Sequence, residues 1–83
     1  MEKILVNIHI PATGGSFDIF VPHDIPIKEL TPIIANGISD LSGGKYYISK
    51  HELLCLKDTS SLLNPQYTLQ DYGIQDGTHL YMI

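Results

Sequence analysis

The stretch Thr68-Leu69-Gln70-Asp71-Tyr72-Gly73-Ile74-Gln75-Asp76-Gly77-Thr78-His79-Leu80-Tyr81-Met82-Ile83 holds a bend, a turn and a strand in sixteen residues. Its end alternates. Leu80 and Met82 share one parity and His79, Tyr81 and Ile83 the other, the pattern of a half-buried strand. Asp76-Gly77 turns the chain into that strand, and residues 68–74 form a compact bend before it. Working outward, residues 3–10 (KILVNIHI) alternate in the same way, with Ile4, Val6, Ile8 and Ile10 on one face and Leu5, Asn7 and His9 on the other. The cluster Pro11-Ala12-Thr13-Gly14-Gly15 turns the chain, and residues 16–21 (SFDIFV) alternate again, so the two runs read as a hairpin.

Between these strands the period changes. Ile27, Leu30, Ile34, Ile38 and Leu41 recur at spacings of three and four, the apolar stripe of a helix. Asp24 and Pro26 mark its start, Pro32 predicts a kink or a loose first turn, and Ser42-Gly43-Gly44 ends it. Residues 45–49 (KYYIS) and 53–56 (LLCL) read as two further short strands. Residues 57–67 read as a surface loop with Leu62 and Leu63 tucked beneath it. A helix that lies between the first and last strands requires those strands to pair in parallel. The expectation is an α+β domain over residues 1–83: a mixed four- to five-stranded sheet with one helix packed on one face.

Composition narrows the function. At 83 residues and 9.2 kDa there is room for one small domain, and 43% apolar with 17% charged residues is the balance of a soluble globular chain. Packing such a core leaves few apolar side chains to line a deep active-site pocket. The five cations are all Lys against nine acidic residues, a net charge of −4. Nucleic-acid binders need clustered cations, and Arg for bidentate base contacts, so a nucleic-acid partner is not expected. Unbroken apolar runs, such as Ile4-Leu5-Val6, are far below the roughly 20 residues of a membrane span. Direct membrane insertion is therefore not expected either. A strand pattern that begins at once leaves no place for a signal peptide, and the lone Cys55 cannot form an internal disulfide; both point to the cytoplasm.

No arrangement of residues points to catalysis. Cys55 lies between Leu54 and Leu56 and reads as a packed structural thiol, not a reactive one. His9 and His79 have outward parity on strands that should be neighbours. A metal site needs three or four ligands, and His23 and His51 lie elsewhere, so no metal site and no cofactor are expected. Asp71 and Asp76 read as turn residues bonding backbone amides. Neither Gly14-Gly15 nor Gly43-Gly44 has the frame of a phosphate loop. The remaining signal is apolar. Leu5, Phe20, Tyr81 and Ile83 have outward parity, and Tyr46 or Tyr47 would join them from a strand at 45–49. Together they would line the open face of the sheet as a protein-interaction surface.

The closing segment resembles that of ubiquitin-like domains, through Thr68, Leu69, Asp71, Tyr72, Ile74, Asp76 and Gly77. The resemblance implies the β-grasp fold and gives Tyr72 the part of a buried tyrosine whose hydroxyl caps local backbone. The run Val21 to Leu30 (VPHDIPIKEL) is similar to the strand-to-helix entry of small bacterial ubiquitin-like proteins of the EsaB/YukD type. That resemblance covers essentially the whole chain and departs at residues 57–67, where the loop is longer. It implies a non-catalytic, cytoplasmic accessory or regulatory component of a Gram-positive type VII secretion system. Its partners would be proteins of the secretion machinery, and the chain itself a monomer or a weak homodimer. The alternative is a sulfur carrier or ubiquitin-type modifier. Such carriers act through a flexible Gly-Gly tail, and a sequence that ends Leu80-Tyr81-Met82-Ile83 would need an extension to serve as one.

Overall fold

In a computed structural model of the protein, which describes residues 3–83, strand β1 (Lys3–Ile10) pairs antiparallel with strand β2 (Gly15–Pro22). Parity sets the register. Ile4 opposes Val21, Val6 opposes Ile19 and Ile8 opposes Phe17, so these three apolar pairs share one face. Gly14 closes the turn at φ +75°, a conformation that L side chains rarely adopt, and its N–H donates to the Ile10 carbonyl at 2.8 Å.

Helix α1 (Ile27–Leu41) lays Ile27, Leu30, Ile34 and Ile38 against that face, with Thr31 and Ala35 also buried. The stripe stops there, because Leu41 is exposed. The helix is continuous through Pro32, although proline removes the bond that would run to the carbonyl of Lys28. Its N-terminus has no side-chain cap. Two N–H groups of the first turn are met by the 57–67 loop instead: Ile27 donates to the Tyr67 carbonyl at 2.8 Å and Lys28 to the Pro65 carbonyl at 2.9 Å.

Strands β3 (Leu54–Leu56) and β4 (Thr78–Met82) complete a four-stranded sheet in the order β2-β1-β4-β3. The first and last strands pair in parallel, Val6 with Thr78 and Ile8 with Leu80, as the helical crossover demands. Strand β3 returns antiparallel on β4, Leu54 opposite Met82. Val6, Ile8, Leu30, Ile34, Leu69 and Leu80 have no solvent exposure, and each aliphatic side chain so buried contributes about 1.5–3 kcal/mol.

Two further expectations, for residues 45–49 and for Leu62, are corrected. Residues 45–49 form no strand. Gly43 and Gly44 both take positive φ after the helix, and the segment that follows is held by side chains: the Tyr46 hydroxyl and the Ser49 N–H both donate to the Glu52 carboxylate at 2.7 Å. The antiparallel partner of β3, besides β4, is an isolated bridge from Cys55 to Leu62. Leu62 is accordingly exposed, and Leu63 alone is buried beneath the loop.

The bend at 68–74 is a reciprocal cap. Thr68 N–H donates to the Asp71 carboxylate at 2.9 Å, and Asp71 N–H to the Thr68 hydroxyl at 3.0 Å. Leu69 and Ile74 plug the core beneath it. The Tyr72 hydroxyl accepts from the Asn64 N–H at 2.8 Å, the backbone-capping part expected of it, but the residue is 37% exposed and not buried. Asp76 likewise bonds backbone, accepting from the Leu5 N–H at 2.7 Å.

Candidate functional site

The sheet face away from α1 is built in rows by the strand registers. One row runs Ser16, His9, Tyr81, Cys55; the next runs Asp18, Asn7, His79; a third holds Phe20 and Leu5. Alternation thus brings His9 and His79 together, as their parity predicts. It also places a polar row between the two apolar groups expected to be contiguous.

That polar row is fully connected. Asn7 Nδ2 donates to the Asp18 carboxylate at 2.6 Å. Asn7 Oδ1 lies 3.3 Å from His79 Nδ1, which meets His9 Nε2 at 3.0 Å. The two imidazole rings are tilted with centroids 5.3 Å apart, and Tyr81 stands edge-on to His9 at 6.1 Å. Burial lowers the pKa of His9, the positive charges of Lys57 and His79 lower it further, and Asp18 opposes them. Among the described residues no group of three or more His, Cys, Asp or Glu is placed to hold a metal ion.

Four of the five expected interaction residues lie on this face. Leu5 and Phe20 are cross-strand partners, with Phe20 67% exposed. Tyr81 lies at the other end, half-buried. Ile83, 59% exposed, continues its alternation, held by reciprocal backbone bonds with Leu53 at 2.8 and 2.9 Å. Tyr46 does not join them. With no strand at 45–49, its ring packs on the core from the helix side. There it lines a small cavity of about 220 Å³ with Ile10, Phe17 and Lys45.

Sequence reasoning did not find Leu62 as part of this surface. Its backbone bridge to Cys55 brings an exposed leucine to the outer edge of the row that holds Tyr81. No period in the loop could have placed it. Cys55 itself is buried.

The architecture has known counterparts. The chain aligns over its full length with part of the MycP5-free ESX-5 inner membrane complex in its state II, at TM-score 0.79 and 16% identity; it spans 21% of that chain. It aligns equally fully with the ubiquitin-like domain of EccD5 from Mycobacterium xenopi, at TM-score 0.76, 20% identity and 94% of that chain. The ubiquitin-like domain of the Mycobacterium tuberculosis type VII secretion system protein EccD1 gives TM-score 0.76 at 17% identity, over 99% of its length. Likeness at such identity shows the fold, a ubiquitin-like β-grasp. No curated protein matches the sequence significantly. The family model for YukD, of the WXG100 protein secretion system (Wss), matches residues 4–82. That match runs from the first buried residue of β1 to the last residue of β4, and the chain belongs to the YukD family.

Proposed function

We propose that the protein is a non-catalytic interaction module of a Gram-positive type VII secretion system, acting in the cytoplasm as one domain over residues 1–83. It docks on a protein component of the secretion machinery through the open face of its sheet, and does so as a monomer or a weak homodimer. Membership in the YukD family and the fold shared with EccD ubiquitin-like domains support the setting. Among the described residues no helix is long and apolar enough to cross a membrane.

The observation that carries the docking reading is the exposure of Phe20 beside Leu5 at one end of the face and of Ile83 beyond Tyr81 at the other. Large apolar side chains left in water at both ends of a hydrogen-bonded polar row suit a partner that buries its own apolar groups there. The polar row between them sets register more than affinity.

A photo-crosslinking amino acid at Phe20 or Ile83, introduced in the native host, tests this. The expected adducts contain a secretion-machinery component, and they disappear with Phe20→Asp plus Ile83→Asp while circular dichroism stays unchanged. Co-purification that survives the double variant counts against the face. Adducts with an adenylating enzyme would point instead to a modifier or sulfur carrier.

A further inference from the structure

A further concavity lies away from the open face. It is a groove of about 560 Å³ between α1 and the segment that leads into β3. Ile27 and Thr31 form the helix wall, Ile48 and Leu53 the opposite wall, and Leu63 and Pro65 close one end. Its lining on the helix spans Ile27 to Asn36, which is about 13 Å at the helical rise per residue. That length matches about four residues of extended peptide.

Two features separate this groove from an ordinary surface dent. The far wall is preorganised. Glu52 accepts from the Tyr46 hydroxyl and the Ser49 N–H, Ser49 Oγ accepts from the His51 N–H at 3.0 Å, and Lys50 between them is held at φ +68°. A non-glycine residue keeps that conformation only where its surroundings impose it. The groove is also flanked by cations. Lys28 and Lys50 both line it, both are exposed, and the ammonium of neither has a hydrogen-bond or ion-pair partner among the described residues. The one acidic side chain in the lining, Glu52, is already engaged by Tyr46 and Ser49. On a chain of net charge −4, the groove gathers two of the five lysines around apolar walls.

We propose that this groove is a second docking site, separate from the sheet face, for a short acidic–aliphatic peptide segment of a protein partner. Aliphatic side chains of the segment would fill the space between Ile27, Ile48, Leu53 and Leu63, and its carboxylates would meet Lys28 and Lys50. The two sites leave the module able to hold two partners, or two parts of one partner, at once.

The test is selection of a phage-displayed library of random 12-residue peptides on the full chain, followed by titration of the enriched peptides into labelled protein by NMR. The expected peptides combine Leu, Ile or Phe with Asp or Glu, and they shift the amide signals of Thr31, Ile48, Leu53 and Leu63. Lys28→Glu plus Lys50→Glu, at two exposed side chains, should weaken them about tenfold or more, and affinity should fall with added salt. Phe20→Asp plus Ile83→Asp should leave them unaffected, which separates this site from the sheet face. The proposal is overturned by enrichment of nothing, by enriched peptides without carboxylates, by shifts confined to Leu5 and His79, or by undiminished affinity in the lysine variant. Saturation of the groove by dodecanoate, with no peptide binding there, would overturn it in favour of a lipid-like ligand.

Discussion

His9 Nε2 and His79 Nδ1 meet at 3.0 Å across the parallel pair β1 and β4. The network around them assigns the proton. Asn7 turns its amide nitrogen to Asp18, so its Oδ1 is the atom that faces His79 Nδ1. An acceptor there requires His79 to carry the proton on Nδ1, and that N–H points at both Asn7 Oδ1 and His9 Nε2. His9 must then accept through a bare Nε2, which keeps it neutral. Burial, Lys57 and His79 lower its pKa below the ordinary 6.5, against the pull of Asp18. A base whose pKa is lower folded than unfolded stabilises the fold above the unfolded value and loses that contribution as pH falls through the folded one. In an NMR titration His9 is expected to show a midpoint under 6.5, moved upward by His79→Gln and by Lys57→Ala. A wild-type midpoint at or above the ordinary value would remove the assignment.

A second pH dependence comes from Tyr46 and Glu52. Burial works to raise the Glu52 pKa, but the bonds from the Tyr46 hydroxyl and the Ser49 N–H outweigh it and hold the carboxyl below its ordinary 4.5. For Tyr46, burial, the bond donated to Glu52 and the carboxylate charge all push the phenol far above its ordinary 10.0. The signs are opposite. The Glu52 contribution is present above 4.5 and fades as pH falls through its depressed pKa, whereas the Tyr46 contribution is present below 10.0 and fades as pH climbs toward its raised one. Urea unfolding should therefore show a plateau between these limits and a decline on both sides. Tyr46→Phe should cost about 1 kcal/mol on the plateau and abolish the alkaline decline. An unchanged alkaline limb would show that the hydroxyl is not bonded to Glu52.

Two glycines should respond to alanine in opposite directions. Gly77 sits at φ +87°, donates its N–H to the Leu5 carbonyl at 2.8 Å, and has open space where a Cβ would go. Gly77→Ala therefore meets backbone strain and no collision, and should destabilise by about 1–2 kcal/mol. Gly37 lies inside α1, also facing open space, with no positive φ. Gly37→Ala should stabilise by about 0.5–1 kcal/mol. Urea midpoints that move the same way for both variants would contradict the backbone account.

Periodicity made β1, β2, α1 and β4 legible, because each of these elements buries one face and its apolar residues must recur at the period of the element, two in a strand and 3.6 in a helix. The run KYYIS at 45–49 carries the β-branched and aromatic residues of a strand, yet its order comes from Tyr46 and Ser49 reaching Glu52. Such a contact between side chains leaves no period to read. The open face was legible as parity but not as register. Outward positions at Leu5, Phe20 and Tyr81 could be read residue by residue, whereas their neighbours depend on Asn7 meeting His79 and His9 meeting Tyr81 across the sheet. That pairing puts Asp18, Asn7 and His79 between the apolar ends. The cap supplied to α1 by the Pro65 and Tyr67 carbonyls was hidden for the same reason: a backbone carbonyl carries no residue identity.

Cys55 offers a readout of the sheet's outer edge. It stands in the three-residue strand β3, between β4 and the bridge to Leu62, and is 7% exposed. Its register partner on the open face is Tyr81, so the thiol is covered although it lies on the side away from the helix. A thiol so placed reacts only when its surroundings open, and a short edge strand opens more often than the central pair β1 and β4. Ellman's reagent should label native Cys55 at least about 100-fold more slowly than the urea-unfolded chain, at a rate independent of reagent concentration once opening is limiting. Leu62→Ala should speed that labelling by loosening the bridge, without lowering the global unfolding free energy by more than about 0.5 kcal/mol, since Leu62 is 57% exposed. Labelling of the native protein as fast as the unfolded chain would mean that the edge is open and that Cys55 is available for chemistry.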